Sequence, residues 1–326
     1  MSAQFKNIVS HTHQGRRDYQ EDSYSNGATF LIVSDGVGGL TKGNIASGIV
    51  KDVWQEALEQ RKILTEDIEG NVQSIVLETI YALNNYAKEN PESMGMGATL
   101  ACTAIIDDKI IALHVGDSRV YHFSRDGEIK WRSTDHSLVQ ELVTSGIITE
   151  EEAATHPRRN VITRVLQAKE GHETKAAIHV LDKIVSGDII MVCSDGVTES
   201  WSDAGLSSVI ISHQELSDIM RVIGAHSAQN SSDNNTAVIA EIILEGNGVF
   251  HDAISGACNL EDMHTEGKFK QKSTKPTLTH YTIQKKAIET HSVIPPPVKQ
   301  HKINPIWISL ASLGIVAFIL YIMLAR

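Results

Sequence analysis

The chain has 326 residues, 41% of them hydrophobic, which suffices for one large domain or two ordinary ones with a sizeable core. Its net charge of −11 argues against nucleic acid as a partner, since that needs a basic face, and leaves carboxylates free to meet cations. The three scattered cysteines, Cys102, Cys193 and Cys258, exclude a disulfide framework and a zinc knuckle and suggest a reducing compartment. None is followed by the arginine-ended phosphate loop that a thiol-dependent phosphatase requires.

The opening stretch "MSAQFKNIVSHTHQGRRDYQED" lacks the apolar core of a secretory signal, so none is expected. It carries Arg16, Arg17, Glu21 and Asp22 ahead of a first apolar strand, Phe30 to Val33, which closes in Ser34-Asp35-Gly36-Val37. Two amphipathic helices follow. "GNIASGIVKDVWQEALEQ" puts Ile45, Ile49, Val53, Trp54 and Leu58 on one face. "VQSIVLETIYALNNYAKE" does the same with Val72, Ile75, Val76, Ile80 and Leu83. The period then changes to two. "ATLACTAIID", "KIIALHVGD", "RVYHF" and "EIKW", separated by turn-forming residues, predict an antiparallel meander. A mostly helical stretch begins near Leu138, and strands follow at 176–181 and 188–193. A helix at about 215–228 and the strand "NTAVIAEIIL" complete an α+β unit over residues 1–245.

Residues 246–304 are polar, rich in lysine and interrupted by "VIPPPVKQHKINP", the composition of a linker. Residues 305–326 carry "IWISLASLGIVAFILYIMLA", Ile306 to Ala325, without a charge over 20 residues. At about 1.5 Å per residue this run matches the roughly 30 Å hydrocarbon layer, so a C-terminal transmembrane anchor is expected. Lysines precede it and only Arg326 follows, which places the preceding domain on the cytoplasmic side of the inner membrane.

The tetrapeptide Ser-Asp-Gly-Val returns at Ser194 to Val197, closing a second apolar run, Ile189 to Cys193. One Asp-Gly at a strand end is an ordinary turn. Two matched copies on buried-looking strands ask for more, and Asp22 and Asp233 of "SSDNNTAV" stand beside similar punctuation. Strands packed side by side would bring these acids to one rim. There they would raise each other's pKa unless a cation neutralised them. Oxygen donors without a Cys/His cluster select hard ions, Mg²⁺ or Mn²⁺. The carbonyl of Gly36, unshielded by a side chain, can approach such an ion closely.

The ordered series "GRRDYQED", "SDGVGG", "GMGATL", "VGDSRVY", "CSDGVTE" and "SDNNTAV" resembles the metal-dependent Ser/Thr phosphatases of the protein phosphatase 2C (PPM) family, bacterial branch. The resemblance covers residues 5–245 and implies a central antiparallel β-sandwich flanked by helices, four layers in all. It implies two Mn²⁺ or Mg²⁺ ions per site, held by Asp35, the Gly36 carbonyl, Asp195 and Asp233, with Asp22 holding a water on the metal. Asp117 would serve a third, weaker metal site that shares Asp195. Arg17 matches the phosphate-binding arginine, with Arg16 as its rival. Arg17 and Asp22 are therefore the catalytic candidates, and Ser137 to Arg164 resembles the mobile flap. Phosphorylated proteins are the implied partners of an expected monomer.

The pattern is not complete. Val37 and Leu40 stand where many relatives carry a histidine, and Ala98 replaces a usual threonine. No general acid is assigned, and His11, His13, His136 and His156 are expected to be surface or structural. A catalytically silent scaffold that binds a kinase or phosphoprotein would have lost an acid or Arg17, yet none is missing. Calcium loops of the D-x-D-x-D type are absent as well.

Overall fold

Four consecutive residues, Phe30 to Val33, are all buried, although in a strand they alternate between two faces. They belong to β3 (Phe30–Val37), and the computed structural model, which describes residues 2–37 and 42–245, shows why both faces are apolar. Leu31 and Val33 face a second sheet, whereas Phe30 and Ile32 face helices.

The first sheet runs β10 (Ala177–Val180), β6 (Lys109–Val115), β5 (Leu100–Ile106), β3, β4 (Gly97–Ala98) and β9 (Leu166–Gln167). β2 (Asp22–Gly27) also pairs with β3. The second sheet runs β1 (Ser2–His13), β12 (Asn235–Glu245), β11 (Ile189–Cys193), β7 (Arg119–Phe123) and β8 (Ile129–Arg132). Every pairing is antiparallel.

Leu31, Val33, Ala101, Val120, Val192 and Val238 fill the space between the sheets. On the outside, α1 (Gly43–Glu59) and α2 (Ile68–Glu89) press Trp54, Ile75 and Leu83 against Ile32, Cys102 and Leu113. On the opposite side, α6 (Asp203–Ser212) and α7 (Leu216–Asn230) set Leu206, Ile219 and Ile223 against Tyr121, Met191 and Ile239. The result is the expected four-layer sandwich. Each fully buried Leu or Ile contributes about 1.5–3 kcal/mol, so three such clusters form a rigid base for the rim.

α2 buries the expected face, including Val72, Ile75, Val76, Ile80 and Leu83. α1 is rotated from expectation. Ala46, Val50, Trp54 and Ala57 are buried, while Ile45, Ile49 and Val53 flank them. Small residues at its centre let α1 lie close to β3, and Ser47 donates a hydrogen bond to the Glu21 carbonyl.

The predicted single meander is corrected. β5 and β6 form a hairpin in the first sheet, and β7 and β8 form one in the second. The chain changes sheets between Val115 and Arg119, so "VGDSR" lies where the two sheets meet. β1 gave no apolar signal because it is an edge strand with few buried side chains. The helical stretch after Ser137 is two short helices, α3 (Leu138–Thr144) and α4 (Glu150–Ala154). α3 buries no side chain. Ser194 does not end in a turn, because α5 (Asp195–Ser200) begins at the next residue. Among the described residues, no helix is long and apolar enough to cross a membrane. Leu40, Cys258, the expected linker and the expected anchor lie outside them.

Candidate metal centre

β2 and β3 pair with Asp22 directly opposite Asp35. Like charges facing each other across an antiparallel pair are destabilising, so this register needs a reason. The reason is shared with Asp195. Asp35 lies at carboxyl–carboxyl contact with both Asp22 and Asp195, a contact that requires a proton or a cation between the oxygens.

Each element delivers its acid separately. Asp35 is fixed from behind by Thr99, whose hydroxyl accepts from the Asp35 N–H at 3.0 Å and contacts Ser118 Oγ at 2.7 Å. Asp195 is the first residue of α5. Ser194 occupies the N-cap but does not cap; its hydroxyl donates to Asp22 Oδ2 at 2.8 Å. Asp117 stands at the change of sheets and is buried. Asp233 sits on the loop before β12 and accepts from Arg17 Nη2.

The electrostatics follow from this crowding. Burial pushes Asp22 up to about 6, Asp233 adds repulsion, and hydrogen bonds from Ser194 and Thr236 only partly offset them. Burial, followed by repulsion from Asp135, takes Asp117 to about 6. Asp35 rises well above its usual range through burial, then through Asp22, Asp195, Asp117 and Asp233. Asp195 rises likewise through burial, then through Asp117, Asp233 and Asp22.

Buried Oδ1 atoms of Asp22, Asp117 and Asp195 meet no hydrogen-bond donor. Such orphaned acceptors are costly, and hard cations satisfy them. Among the described residues, however, no three His, Cys, Asp or Glu side chains close into a cage for one ion. The two observations are compatible. Mg²⁺ and Mn²⁺ keep several waters and need only one or two carboxylates each. The donor set therefore fits small divalent ions that share ligands, with the Gly36 carbonyl as a further oxygen.

Both repeated glycines have a steric role. A Cβ on Gly36 would lie 2.2 Å from the Gly43 carbonyl oxygen, and one on Gly196 would lie 2.0 Å from that of Asn234. Neither has positive φ, so the recurrent Asp-Gly is a close-approach device rather than a left-handed turn. Gly36 lets the start of α1 close over the site. Gly196 lets the loop carrying Asp233 close against α5.

A cavity of about 750 Å³ opens beside the acids, lined in part by Arg17, Asp117, Asp195 and Asp233. Arg17 lines it and Arg16 does not. On the other side, Val139, Val143 and Ala153 of the flap face the cavity, and a bridge between Ser137 and Ile162 closes the flap's base. No histidine among the described residues lines it. His11 contacts Asn235, while His13 and His156 accept from backbone N–H groups nearby. Cys102 and Cys193 are buried, and burial pushes both thiols up, which removes them as nucleophiles.

Three positioning residues escaped the sequence reading. Asn234 accepts from Glu21 N at 2.8 Å and donates to the Gln14 and Tyr19 carbonyls at 2.7 and 2.9 Å. It thereby ties the Arg17 loop to the Asp233 loop. Glu199 accepts from Ser231 Oγ, Ser232 N and Ser232 Oγ at 2.7–2.9 Å. Those bonds hold it below its usual range against the upward push of burial. Thr99 is the third. All three lie inside the quoted motifs "GMGATL", "CSDGVTE" and "SDNNTAV", so the signal was present but their roles were not assigned.

The family model described as Protein phosphatase 2C matches residues 9–231. The serine/threonine phosphatase stp of Listeria innocua is 31% identical over 256 residues, covering 74% of this chain and 96% of that protein. The crystal structure of the Mycobacterium tuberculosis phosphatase PstP/Ppp superposes with a TM-score of 0.67 at 28% identity, covering 74% of this chain and all of that one. A PstP catalytic domain in complex with two manganese ions superposes at 0.64, with 27% identity and the same coverage of both chains. The chain belongs to the protein phosphatase 2C family.

Proposed function

We propose that residues 1–245 hydrolyse phosphoserine and phosphothreonine esters on proteins with the help of divalent metal, without a phosphoenzyme. The observation that carries this reading is the set of three buried, donor-less carboxylate oxygens on Asp22, Asp117 and Asp195. When bound, two divalent ions supply a nucleophilic hydroxide near neutral pH and neutralise phosphate charge. Asp35, Asp195, Asp233 and the Gly36 carbonyl would hold the ions, and Asp22 would hold a water on the metal. Asp117 serves a weaker third ion together with Asp195.

Arg17 Nη2 is engaged by Asp233, but a guanidinium has five N–H donors in a planar fork. Those remaining at the cavity's edge bind the phosphate oxygens and orient phosphorus for in-line attack. No side chain needs to act as nucleophile, in keeping with the buried thiols. The flap's apolar residues Val139 and Val143 shield the reacting centre from bulk water. The domain acts at the cytoplasmic face of the inner membrane, tethered by residues 305–326 through the linker 246–304. The uncharged run from Ile306 to Ala325 supports that tether.

The test is turnover of p-nitrophenyl phosphate and a phosphothreonine peptide after chelation and after Mn²⁺ is added back. Activity should vanish and return. Asp195→Ala should lose orders of magnitude in kcat with its circular dichroism spectrum intact. Near-wild-type turnover by that variant in Mn²⁺ would sink the assignment.

A further inference from the structure

α3 separates two cavities. Beyond the catalytic one lies a second, of about 630 Å³, which shares only Arg132, Asp135 and Gln140 with it. Its volume is that of a small-molecule site. Two parallel ring pairs line it: His114 on His136 with centroids 4.4 Å apart, and Trp131 on His179, also at 4.4 Å.

The hydrogen bonding around His136 is incomplete in a way that identifies the missing partner. Its Nδ1 accepts the Gly116 N–H at 3.1 Å, which places the ring proton on Nε2. Nε2 faces Arg164 Nη1 at 3.3 Å. A guanidinium offers only donors, so two N–H groups point at each other with no protein acceptor between them among the described residues. Among the described residues, Arg164 has no carboxylate at ion-pair distance. Of the two acids lining the cavity, Asp135 is already gripped by Arg119 through two 2.7 Å hydrogen bonds, and Glu141 is exposed.

We propose that this second cavity is an oxyanion site, in which one phosphate oxygen accepts from both His136 Nε2–H and the Arg164 guanidinium. The ring pairs and Ile178 accommodate whatever carries the phosphate. Neither His136 nor Arg164 lines the catalytic cavity, so the site stands apart from the phosphatase centre. It is nonetheless wired to that centre. The His136 backbone N–H donates to the carbonyl of Gly116, one residue before Asp117, the Gly116 N–H donates to the His136 ring, and the His136 carbonyl accepts from Thr163 of the flap. Gln140 of α3 faces both cavities. Since α3 buries no side chain of its own, an occupant that contacts it restrains the flap.

The phosphate has two sources, the free product of the reaction and a phosphoryl group on a peptide. Trp131 supplies the signal. The full-length, chelated protein, with no ion at the catalytic acids, is titrated with inorganic phosphate and separately with a phosphoserine peptide while tryptophan emission is followed. A saturable change is expected, absent in Trp131→Phe, at least ~tenfold weaker in Arg164→Gln, and unaltered in Arg17→Ala. Arg164→Lys, which keeps the charge but not the fork, should fall between. Tighter binding of phosphate assigns the product, and tighter binding of peptide assigns the substrate chain. No saturable change with either probe, or one that Arg164→Gln leaves intact and Arg17→Ala removes, overturns the proposal.

Discussion

Replacing Asp22 by asparagine should stabilise the metal-free protein at neutral pH while disabling its chemistry. Asp22 faces Asp35 across β2 and β3, and burial, with repulsion from Asp233, raises its carboxyl from 3.8 to about 6 in the fold. Ionising a group whose native pKa lies above its unfolded value costs the native state free energy. That cost is absent below about pH 4, grows between about 4 and 6, and is complete above 6. At about 1.4 kcal/mol per pH unit, the full cost is roughly 3 kcal/mol. Asparagine keeps a carbonyl oxygen to accept from Ser194 Oγ and carries no charge. Urea unfolding in chelator should therefore show Asp22→Asn more stable by roughly 2–3 kcal/mol near pH 7.5, and by about half that near pH 5. Adding Mn²⁺ should reverse the order, because wild type gains more ligand-binding free energy. Turnover should fall by orders of magnitude. A variant equally destabilised at both pH values would refute the argument from a buried charge.

Arg17→Ala should raise KM more than it lowers kcat, since contact with the phosphate already exists in the ground state; a collapsed kcat at unchanged KM would transfer that role to Arg16. Asn234→Ala removes three buried hydrogen bonds and should cost roughly 2–4 kcal/mol in urea unfolding, with a raised KM because the Arg17 loop is released. A chain ending at residue 245 should remain soluble and keep wild-type turnover of aryl phosphates, whereas the full chain should need detergent for extraction. Full-length protein found in the soluble fraction would remove the anchor.

The apolar runs were legible because helices cover both outer faces of the sandwich, so most residues of β3, β11 and β12 are buried whichever way they point. The acids were legible because they adjoin turn-forming residues at strand ends. Their ordered spacing sufficed to resemble a family, and that family membership is what the comparisons bear out. Chain order does not encode which sheet a hairpin joins. That choice depends on pairings such as β7 with β11, whose partners are about 70 residues apart in sequence. The face that α1 buries was decided by how closely its small residues approach β3. Composition determined that carboxylates abound, whereas only the register of β2 on β3 set Asp22 against Asp35. Likewise, only the loop contacts at Asn234 and Glu199 placed Asp233 and Arg17 on the same rim. Local propensity acts over a few residues, and a site whose donors come from positions 17 to 233 is a property of long-range packing alone.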